Sequence, residues 1–214
     1  MSSLNNSPSS RAWQRFKRNR LGFYSFVVFC VLVFLSLFAE VLSNDKPLLV
    51  HYKQSYYFPI LKDYPETFFG GDFETPTDYL DPLIQQKLSS DGNWAVFPIN
   101  HYGAQTLNYF ASTPNPSAPS GENWLGTDDK GRDLLAQLLY GFRVSVLFAL
   151  ALTIVGTVLG VITGAMQGFY GGKTDLAFQR CIEIWGAMPE LYLLIIFSAV
   201  FSPSLALLLI LLSL

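Results

Sequence analysis

Two long apolar stretches, separated by a long polar one, dominate the pattern of this chain. Residues 21–42 are apolar apart from Gly22, two serines and Glu40. As a helix this stretch rises about 33 Å, enough to cross a hydrocarbon core of about 30 Å. Residues 144–166 contain no charged side chain. We therefore predict a transmembrane helix in each stretch, joined by a long loop.

The C-terminal part of the chain admits two interpretations on hydropathy alone. Residues 191–214 are apolar enough to form a single span. Alternatively, a third span covers 182–201 with a kink at Pro189, and after a turn at 202–204 a fourth span begins at 205–214. The patterning leaves both interpretations open.

The second interpretation places two acidic residues in or near the membrane, Glu183 and Glu190. Carboxylates at that depth are costly and are usually paired or functional. Arg180 lies three residues before Glu183, which is close enough for an ion pair on a helix. Glu190 directly follows Pro189 and has no such neighbour.

The first twenty residues carry five basic residues and no acidic one. Short segments rich in Lys and Arg stay in the cytoplasm, so residues 1–20 are predicted to be a cytoplasmic N-terminus. A cleaved signal peptide is the rival interpretation. Its apolar region would be only about 7–15 residues long and an A-x-A-like site would follow, which is not the pattern here. The basic residues are Arg11, Arg15, Lys17, Arg18 and Arg20.

The loop after the first span is predicted to lie in the periplasm. Residues 43–143 carry twelve acidic and seven basic residues, a balance that argues against binding nucleic acid. Most of the chain's twelve prolines lie here and repeatedly interrupt the strand-like stretches. We therefore expect residues 43–123 to form a small, mostly irregular domain, with its aromatic residues either in a core or on a surface that binds a partner.

Glycines recur every four residues along the second span, at Gly156, Gly160 and Gly164. At this spacing they share one side of a helix, and small residues let two helix backbones approach closely in lipid. We expect this face to pack on another helix. A generic small-residue face is the alternative, since glycine is frequent in membrane helices.

The sequence gives little support to an enzyme. Residues 168–174 resemble a phosphate-binding P-loop, but Gln167 stands where that motif requires glycine, and a membrane helix precedes it in place of a strand. We interpret residues 167–181 as a cytoplasmic turn that caps the second span. The two histidines lie in the loop and the two cysteines in or beside apolar segments, so no metal site or disulfide framework is predicted.

Residues 124–143 connect the loop to the second span and hold the most specific motif. Thr127, Asp128 and Asp129 are N-cap candidates for a helix through residues 133–140. Apolar residues share one side of this helix. We expect it to lie along the outer membrane face before the second span begins.

This motif resembles the GTD-x-x-GRD segment of the C-type permease subunits of dipeptide and oligopeptide ABC importers. The resemblance extends over about residues 120–200, and the long loop is similar to that of the Yej-type members. It implies an all-α polytopic membrane protein with the transmembrane domain of type I ABC importers (MetI-like), and it favours the kinked third span. The matching motif positions, with an implied structural role, are Gly126, Thr127, Asp128, Gly131, Arg132, Asp133 and Gly141.

The resemblance also implies a function and partners. A permease subunit of this kind moves oligopeptides, including peptide-like antibiotics, from periplasm to cytoplasm across the bacterial inner membrane. It would work with a B-type permease subunit, two cytoplasmic ATPases that bind ATP and Mg²⁺, and a periplasmic peptide-binding protein. This chain would bind no cofactor itself. Glu190 is the candidate for the substrate pathway, with a paired carboxylate at the Pro189 kink as the alternative.

Two features depart from the family. Its members usually have Asp at the position of Glu183, and they have six spans, with the ATPase-docking loop after the fourth. This chain stops at Leu214 within that span, so we expect it to be an N-terminal portion of a longer protein. The rival functions are a membrane-anchored sensor that uses the loop and a membrane-embedded enzyme, for which only Glu183 and Glu190 are available at membrane depth.

Overall fold

The computed structural model describes residues 8–90, 92–107, 109 and 114–213. The chain divides into two compact units, one ending at Arg143 and the other comprising Val144–Leu214. In the described residues, two helices are long and apolar enough to cross a membrane, and a third span is possible if one bent helix pair counts as one. The helical framework and its apolar helices identify a membrane protein.

Three helices form the start of the first unit. Helix α1 covers Pro8–Arg18, α2 covers Arg20–Leu37 and α3 covers Ala39–Leu42. Asn19 separates the first two, because its side-chain oxygen accepts a hydrogen bond from the Gly22 N–H at 3.2 Å and caps α2. The predicted span at 21–42 is thus divided at Phe38, and the candidate span is α2 alone.

The loop contains more regular structure than the prolines suggest. Its elements are β1 (Leu49–Tyr52), β2 (Ser55–Tyr57), a short 3-10 helix (Glu66–Phe69), α4 (Pro82–Ser89) and β3 (Trp94–Val96). The three strands form an antiparallel sheet in the order β2-β1-β3, with Val50 of the central strand opposite Tyr57 and Ala95. Helix α4 follows Asp81, whose carboxylate caps it by accepting from the Leu83 N–H at 2.8 Å.

Aromatic rings form the core of this loop domain. Phe69 is fully buried, and its ring centroid lies 5.5 Å from that of Tyr52, 5.6 Å from Tyr57 and 5.8 Å from Tyr79. Edge-to-face contacts of this kind add to the stabilisation from burial alone. The aliphatic residues Val50, Ile84 and Leu88 complete the core. Part of the loop's aromatic content is therefore explained by packing.

The helix that follows the loop is longer than expected. Helix α5 covers Leu134–Tyr170, 37 residues or about 55 Å. Where the sequence predicts an interfacial helix and then a separate span, the structure has one uninterrupted helix, since Gly141 alone is a weak helix breaker. Its N-cap is Asp133, rather than one of the candidates at 127–129.

The second unit continues with three shorter helices. Gly171 and Gly172 both have positive φ, 56° and 55°, a conformation that favours glycine, and they separate α5 from the next helix. The following pair meets at an angle of 82°, with Pro189 at the N-cap of the second. The predicted third span at 182–201 thus contains the end of the helix Gly172–Gly186 and the whole of the helix Glu190–Val200. The helices are α6 (Gly172–Gly186), α7 (Glu190–Val200) and α8 (Leu205–Ser213).

Replacing Phe69 with alanine should destabilise the loop domain. Removing a buried phenylalanine costs about 3–5 kcal/mol, because the lost contacts leave a cavity among the surrounding rings. Amide hydrogen exchange in the full chain would measure this as faster exchange in β1 and α4. Phe73→Ala is the matched control, since Phe73 is 65% exposed. Equal exchange in the two variants would contradict the assignment of the core.

Candidate functional site

Asp133 lies at the centre of a buried polar cluster that joins the loop to α5. Its side chain is fully buried. One carboxylate oxygen accepts hydrogen bonds from the Asn100 amide at 2.8 Å and from the Ala136 N–H at 2.7 Å. The other accepts from the Asn123 amide at 2.9 Å. The carboxylate therefore caps α5 and holds two distant loop segments at the same point.

Asn100 extends this cluster to the end of α3. Its side-chain amide also donates to the Ser43 hydroxyl oxygen at 3.0 Å, and its backbone N–H donates to the Leu42 carbonyl at 3.0 Å. The Ser43 hydroxyl in turn donates to the Tyr102 carbonyl at 2.7 Å. The Tyr140 hydroxyl, on the second turn of α5, donates to the Ser43 carbonyl at 2.9 Å. The end of α3, the loop and the start of α5 are thereby connected.

Asp128 and Arg132 form a second carboxylate centre within the motif. One Asp128 oxygen accepts from the Lys130 and Arg132 N–H groups at 2.9 and 2.8 Å. The other accepts from the Arg132 Nε at 2.8 Å and from the Gln137 amide at 3.1 Å. Desolvation by itself raises the pKa of Asp128, but the hydrogen bonds from Arg132, Lys130 and Gln137 outweigh it and hold the pKa well below its usual range.

The motif threonine and glycines fit against one segment of the loop. The Thr127 hydroxyl donates to the Asn115 side chain and accepts from the Ser117 N–H, both at 2.9 Å. Gly126 has a φ of 79°, and a Cβ there would lie 2.4 Å from the Ser117 carbonyl oxygen. A Cβ at Gly131 would lie 2.4 Å from the Asn115 amide nitrogen. Gly126 thus permits a close approach of two backbone segments, and Gly131 has a φ of 82°, a conformation that favours glycine.

An ion pair fixes the start of α5 to α3. The Arg143 guanidinium donates to both Glu40 carboxylate oxygens, at 2.7 and 2.8 Å, and lies 5.1 Å from the Tyr140 ring centroid. Phe142 contacts Phe29 of α2, with 6.2 Å between ring centroids. We call the set formed by Glu40, Ser43, Asn100, Asn123, Asp128, Arg132, Asp133, Tyr140 and Arg143 the motif clamp.

The predicted motif residues come together, except one. Contacts in or beside the motif clamp are made by Gly126, Thr127, Asp128, Gly131, Arg132 and Asp133. Gly141 is exposed, and a Cβ there would meet nothing within 4 Å. Its place in the motif therefore has no explanation from the contacts of the described residues.

Sequence reasoning missed six members of the motif clamp, which are Glu40, Ser43, Asn100, Asn123, Tyr140 and Arg143. Asn100 and Asn123 lie far from Asp133 in sequence, at separations of 33 and 10 residues, and no local pattern marks them. Glu40 did carry a signal, because it is the only charged residue within the apolar stretch 21–42. A lone carboxylate at the end of a span indicates a basic partner elsewhere in the fold.

The other predicted site residues lie in the second unit. A Cβ added at Gly156, Gly160 or Gly164 would meet nothing within 4 Å, so a partner for this face is not among the described residues. Glu190 begins α7, and its side chain lies outside the described part of the structure. Glu183 forms an exposed ion pair with Arg180.

The motif clamp holds segments of the chain together and offers no free catalytic group. Donors from the protein occupy both oxygens of Asp128 and of Asp133, so neither carboxylate is placed to transfer protons to a ligand. Among the described residues, no group of three or more His, Cys, Asp or Glu side chains is arranged to hold a metal ion. What the arrangement can do is hold the loop domain and two helices as one body.

Comparison with known proteins gives one family match. Residues 7–63 match the family described as the N-terminal TM domain of oligopeptide transport permease C. This range covers α1 to α3 and the first two strands of the loop, including Glu40 and Ser43 of the motif clamp.

Two curated relatives match nearly the whole chain. An inner membrane ABC transporter permease protein, YejE, of Escherichia coli is 50% identical over 199 residues, covering 92% of this chain and 58% of the relative. A peptidoglycan transport system permease protein, YejE, of Agrobacterium fabrum is 44% identical over 222 residues, with the same two coverages. An oligopeptide transport system permease protein, OppC, of Bacillus subtilis is 38% identical over 82 residues, 38% of this chain and 27% of the relative. The chain thus spans under two thirds of each relative.

Replacing Asp133 with alanine should detach the loop from α5. The change leaves buried donors of Asn100, Asn123 and Ala136 without an acceptor, at a cost of about 3 kcal/mol or more. Hydrogen exchange in the first turn of α5 should accelerate accordingly. Asp129→Ala is the control, because Asp129 is exposed and its loss should change stability by less than about 0.5 kcal/mol. If both variants exchange alike, Asp133 does not hold the cluster together.

The stabilising effect of Asp128 should persist into acid. Its pKa is lowered on folding, so the stability it contributes is present above the ordinary pKa of about 4 and is lost as pH falls through the lowered pKa. We expect a difference in thermal unfolding temperature between the wild type and Asp128→Asn that is constant from neutral pH to about pH 4. It should narrow only in stronger acid. Narrowing already near pH 6 would contradict the assigned hydrogen bonds.

Proposed function

The chain is homologous to the C-type permease subunits of peptide ABC transporters, and on this basis we propose that it functions in moving oligopeptides from the periplasm to the cytoplasm. The observation that carries the proposal is the 50% identity to a permease along 92% of this chain, in which the whole motif clamp lies. One of the relatives is an oligopeptide transport permease and another a peptidoglycan transport permease. Peptides, and with them peptide-like antibiotics, are therefore the proposed substrate class.

The proposed arrangement is that of a type I ABC importer of the MetI-like kind. α2 and α5 would cross the inner membrane, and the bent pair α6 and α7 would form the third span, with α8 starting the fourth. The basic helix α1 favours a cytoplasmic N-terminus, which would put the loop domain in the periplasm.

The proposed partners follow from the same homology. A B-type permease subunit would complete the translocation pathway, and two cytoplasmic ATPases would bind ATP and Mg²⁺, so that this chain needs no cofactor. A periplasmic peptide-binding protein would deliver the peptide. The open glycine face of α5 supports a helix of another subunit, or of this protein, as its partner.

The motif clamp has a clear use in such a transporter. Alternating access moves helices as rigid bodies around the substrate pathway. A periplasmic domain joined to the helices only by flexible chain would not follow their movements. Asn100 bonds the loop to the end of α3 and to the start of α5, so the domain would move with both. The clamp thus couples the loop domain to the transport cycle.

Peptide uptake tests the proposal directly. A bacterium that lacks the gene should fail to grow on an oligopeptide as its only source of a required amino acid, and the intact gene should restore growth. Asp133→Ala should restore little uptake and Asp129→Ala should restore it fully. Normal uptake in the strain that lacks the gene would overturn the function.

Glu190 is proposed to face the substrate pathway, where its carboxylate would attract the cationic groups of a peptide. Glu190→Gln should lower the uptake of lysine-containing peptides about fivefold or more, the effect of about 1 kcal/mol of lost attraction. Uptake of acidic peptides should change less. Glu122→Gln, at an exposed position in the loop, is the control. An equal effect on both classes of peptide would leave Glu190 as a structural residue at the Pro189 kink.

A membrane-anchored ligand sensor is the second candidate. The observation that favours it is the separate aromatic core of the loop domain, which is more than a simple connection requires. In that case the purified chain would bind a peptide without any ATPase, and peptide uptake by cells would not depend on the gene. The uptake experiment above separates the two functions.

A further inference from the structure

Helix α1 has an arginine face and an aromatic face, and Lys17 lies on the aromatic side, with its Nζ 5.3 Å from the Trp13 ring centroid. On a wheel of about 100° per residue, Arg11, Arg15 and Arg18 form one row, centred roughly 130° from Phe16. Trp13 lies on the same side as Phe16. The three arginines span about 10 Å along the helix. The helix is therefore amphipathic, with guanidinium groups on one side and aromatic rings on the other.

The aromatic face is seated on the first apolar helix. The Phe16 ring centroid lies 6.1 Å from that of Phe23 and 5.6 Å from that of Phe26, both on α2. Trp13 stacks on Phe16 at 5.6 Å and remains 48% exposed. Since α2 is a candidate span, these contacts place α1 at its end, the level of a membrane–water boundary, where tryptophan is enriched.

The arginine row lacks a counter-charge. Arg11, Arg15 and Arg18 are exposed, and none is in an ion pair within the described residues. The sequence itself has no acidic residue before Glu40. Three like charges on one helix face repel each other, so an anionic surface would stabilise this arrangement.

We propose that α1 binds the headgroups of anionic phospholipids. Trp13 and Phe16 insert at the boundary between headgroups and acyl chains, and Arg11, Arg15 and Arg18 pair with lipid phosphates on the other side. Arginine suits this role because its planar guanidinium bonds two phosphate oxygens at once. Amphipathic helices with basic and aromatic faces bind membranes in this way.

This inference goes beyond the orientation that the basic residues imply. Orientation depends on the number of basic residues near the span, wherever on the helix they lie. Binding of headgroups by a row of arginines depends on their sharing a face. A variant that moves one arginine to the other face, Ser9→Arg with Arg11→Ser, keeps the charge and separates the two roles.

The experiment reads the fluorescence of Trp13 in the full chain, with Trp94, Trp124 and Trp185 replaced by phenylalanine. The chain, in micelles with zwitterionic phosphatidylcholine, is titrated with phosphatidylglycerol that carries bromine on its acyl chains, which quenches a nearby tryptophan. Brominated phosphatidylcholine is the lipid control. Far-UV circular dichroism verifies that each variant keeps its helix content.

We expect phosphatidylglycerol to quench the fluorescence of Trp13 at a lower mole fraction than phosphatidylcholine does. The mole fraction of phosphatidylglycerol at half-maximal quenching, the midpoint, should rise when salt is added. Each basic residue near an anionic surface contributes about fivefold to binding, so Arg11→Gln with Arg15→Gln and Arg18→Gln should raise the midpoint by up to about a hundredfold. The relocation variant should raise it about fivefold. The control triple Lys53→Gln, Lys62→Gln and Lys130→Gln, at exposed loop positions, should leave it unchanged.

Two outcomes would overturn the proposal. Equal quenching by the two lipids would show that Trp13 lies in lipid without any preference for anionic headgroups. An unchanged midpoint in the triple arginine variant, with its helix content intact, would show that the arginine row does not bind lipid. In either case an acidic protein surface would become the better partner for the row.

Discussion

The structure depends on the burial of one carboxylate. Asp133 is fully buried, and a polar side chain in that position is tolerated only when hydrogen-bond partners surround it. Asn100, Asn123 and the Ala136 N–H supply them, at 2.7 to 2.9 Å. Because these donors come from three separate segments, satisfying one carboxylate requires the loop to close onto the start of α5. A single local requirement thereby determines a contact between distant parts of the chain.

Two further residues near the start of α5, Tyr140 and Arg143, also bond this helix to other segments of the chain. Asp133 caps the helix, Tyr140 binds the Ser43 carbonyl and Arg143 pairs with Glu40, so successive turns of one helix are fixed to the end of α3. The Glu40–Arg143 pair is partly exposed, and by itself such a pair contributes little to stability. The pair instead orients the two side chains, because the contact of Arg143 with both Glu40 oxygens fixes the direction of the guanidinium group.

Sequence patterning was informative where a residue type acts locally. The apolar stretches marked the positions of α2 and of most of α5, and prolines 189 and 203 precede the starts of α7 and α8. The resemblance to C-type permease subunits, read from the motif, is confirmed by the homologues. Sequence patterning predicted the structure poorly where contacts between distant residues determine it. Nothing local distinguishes Asp133 from Asp128 as the cap of α5, because the choice depends on Asn100 and Asn123.

The same dependence on tertiary contacts explains the short strands of the loop, which the sequence did not mark. Prolines argued against strands, yet β1 to β3 are short enough to fit between them, and the buried Phe69 ties the sheet to α4 through aromatic contacts that no periodicity reveals. α5 then combines two kinds of surface. Its start is bonded to the loop and to the end of α3, whereas the glycines of its apolar part meet no other side chain or backbone among the described residues. Small residues on one side of an apolar helix let another helix approach closely, so the two parts of α5 present different kinds of surface.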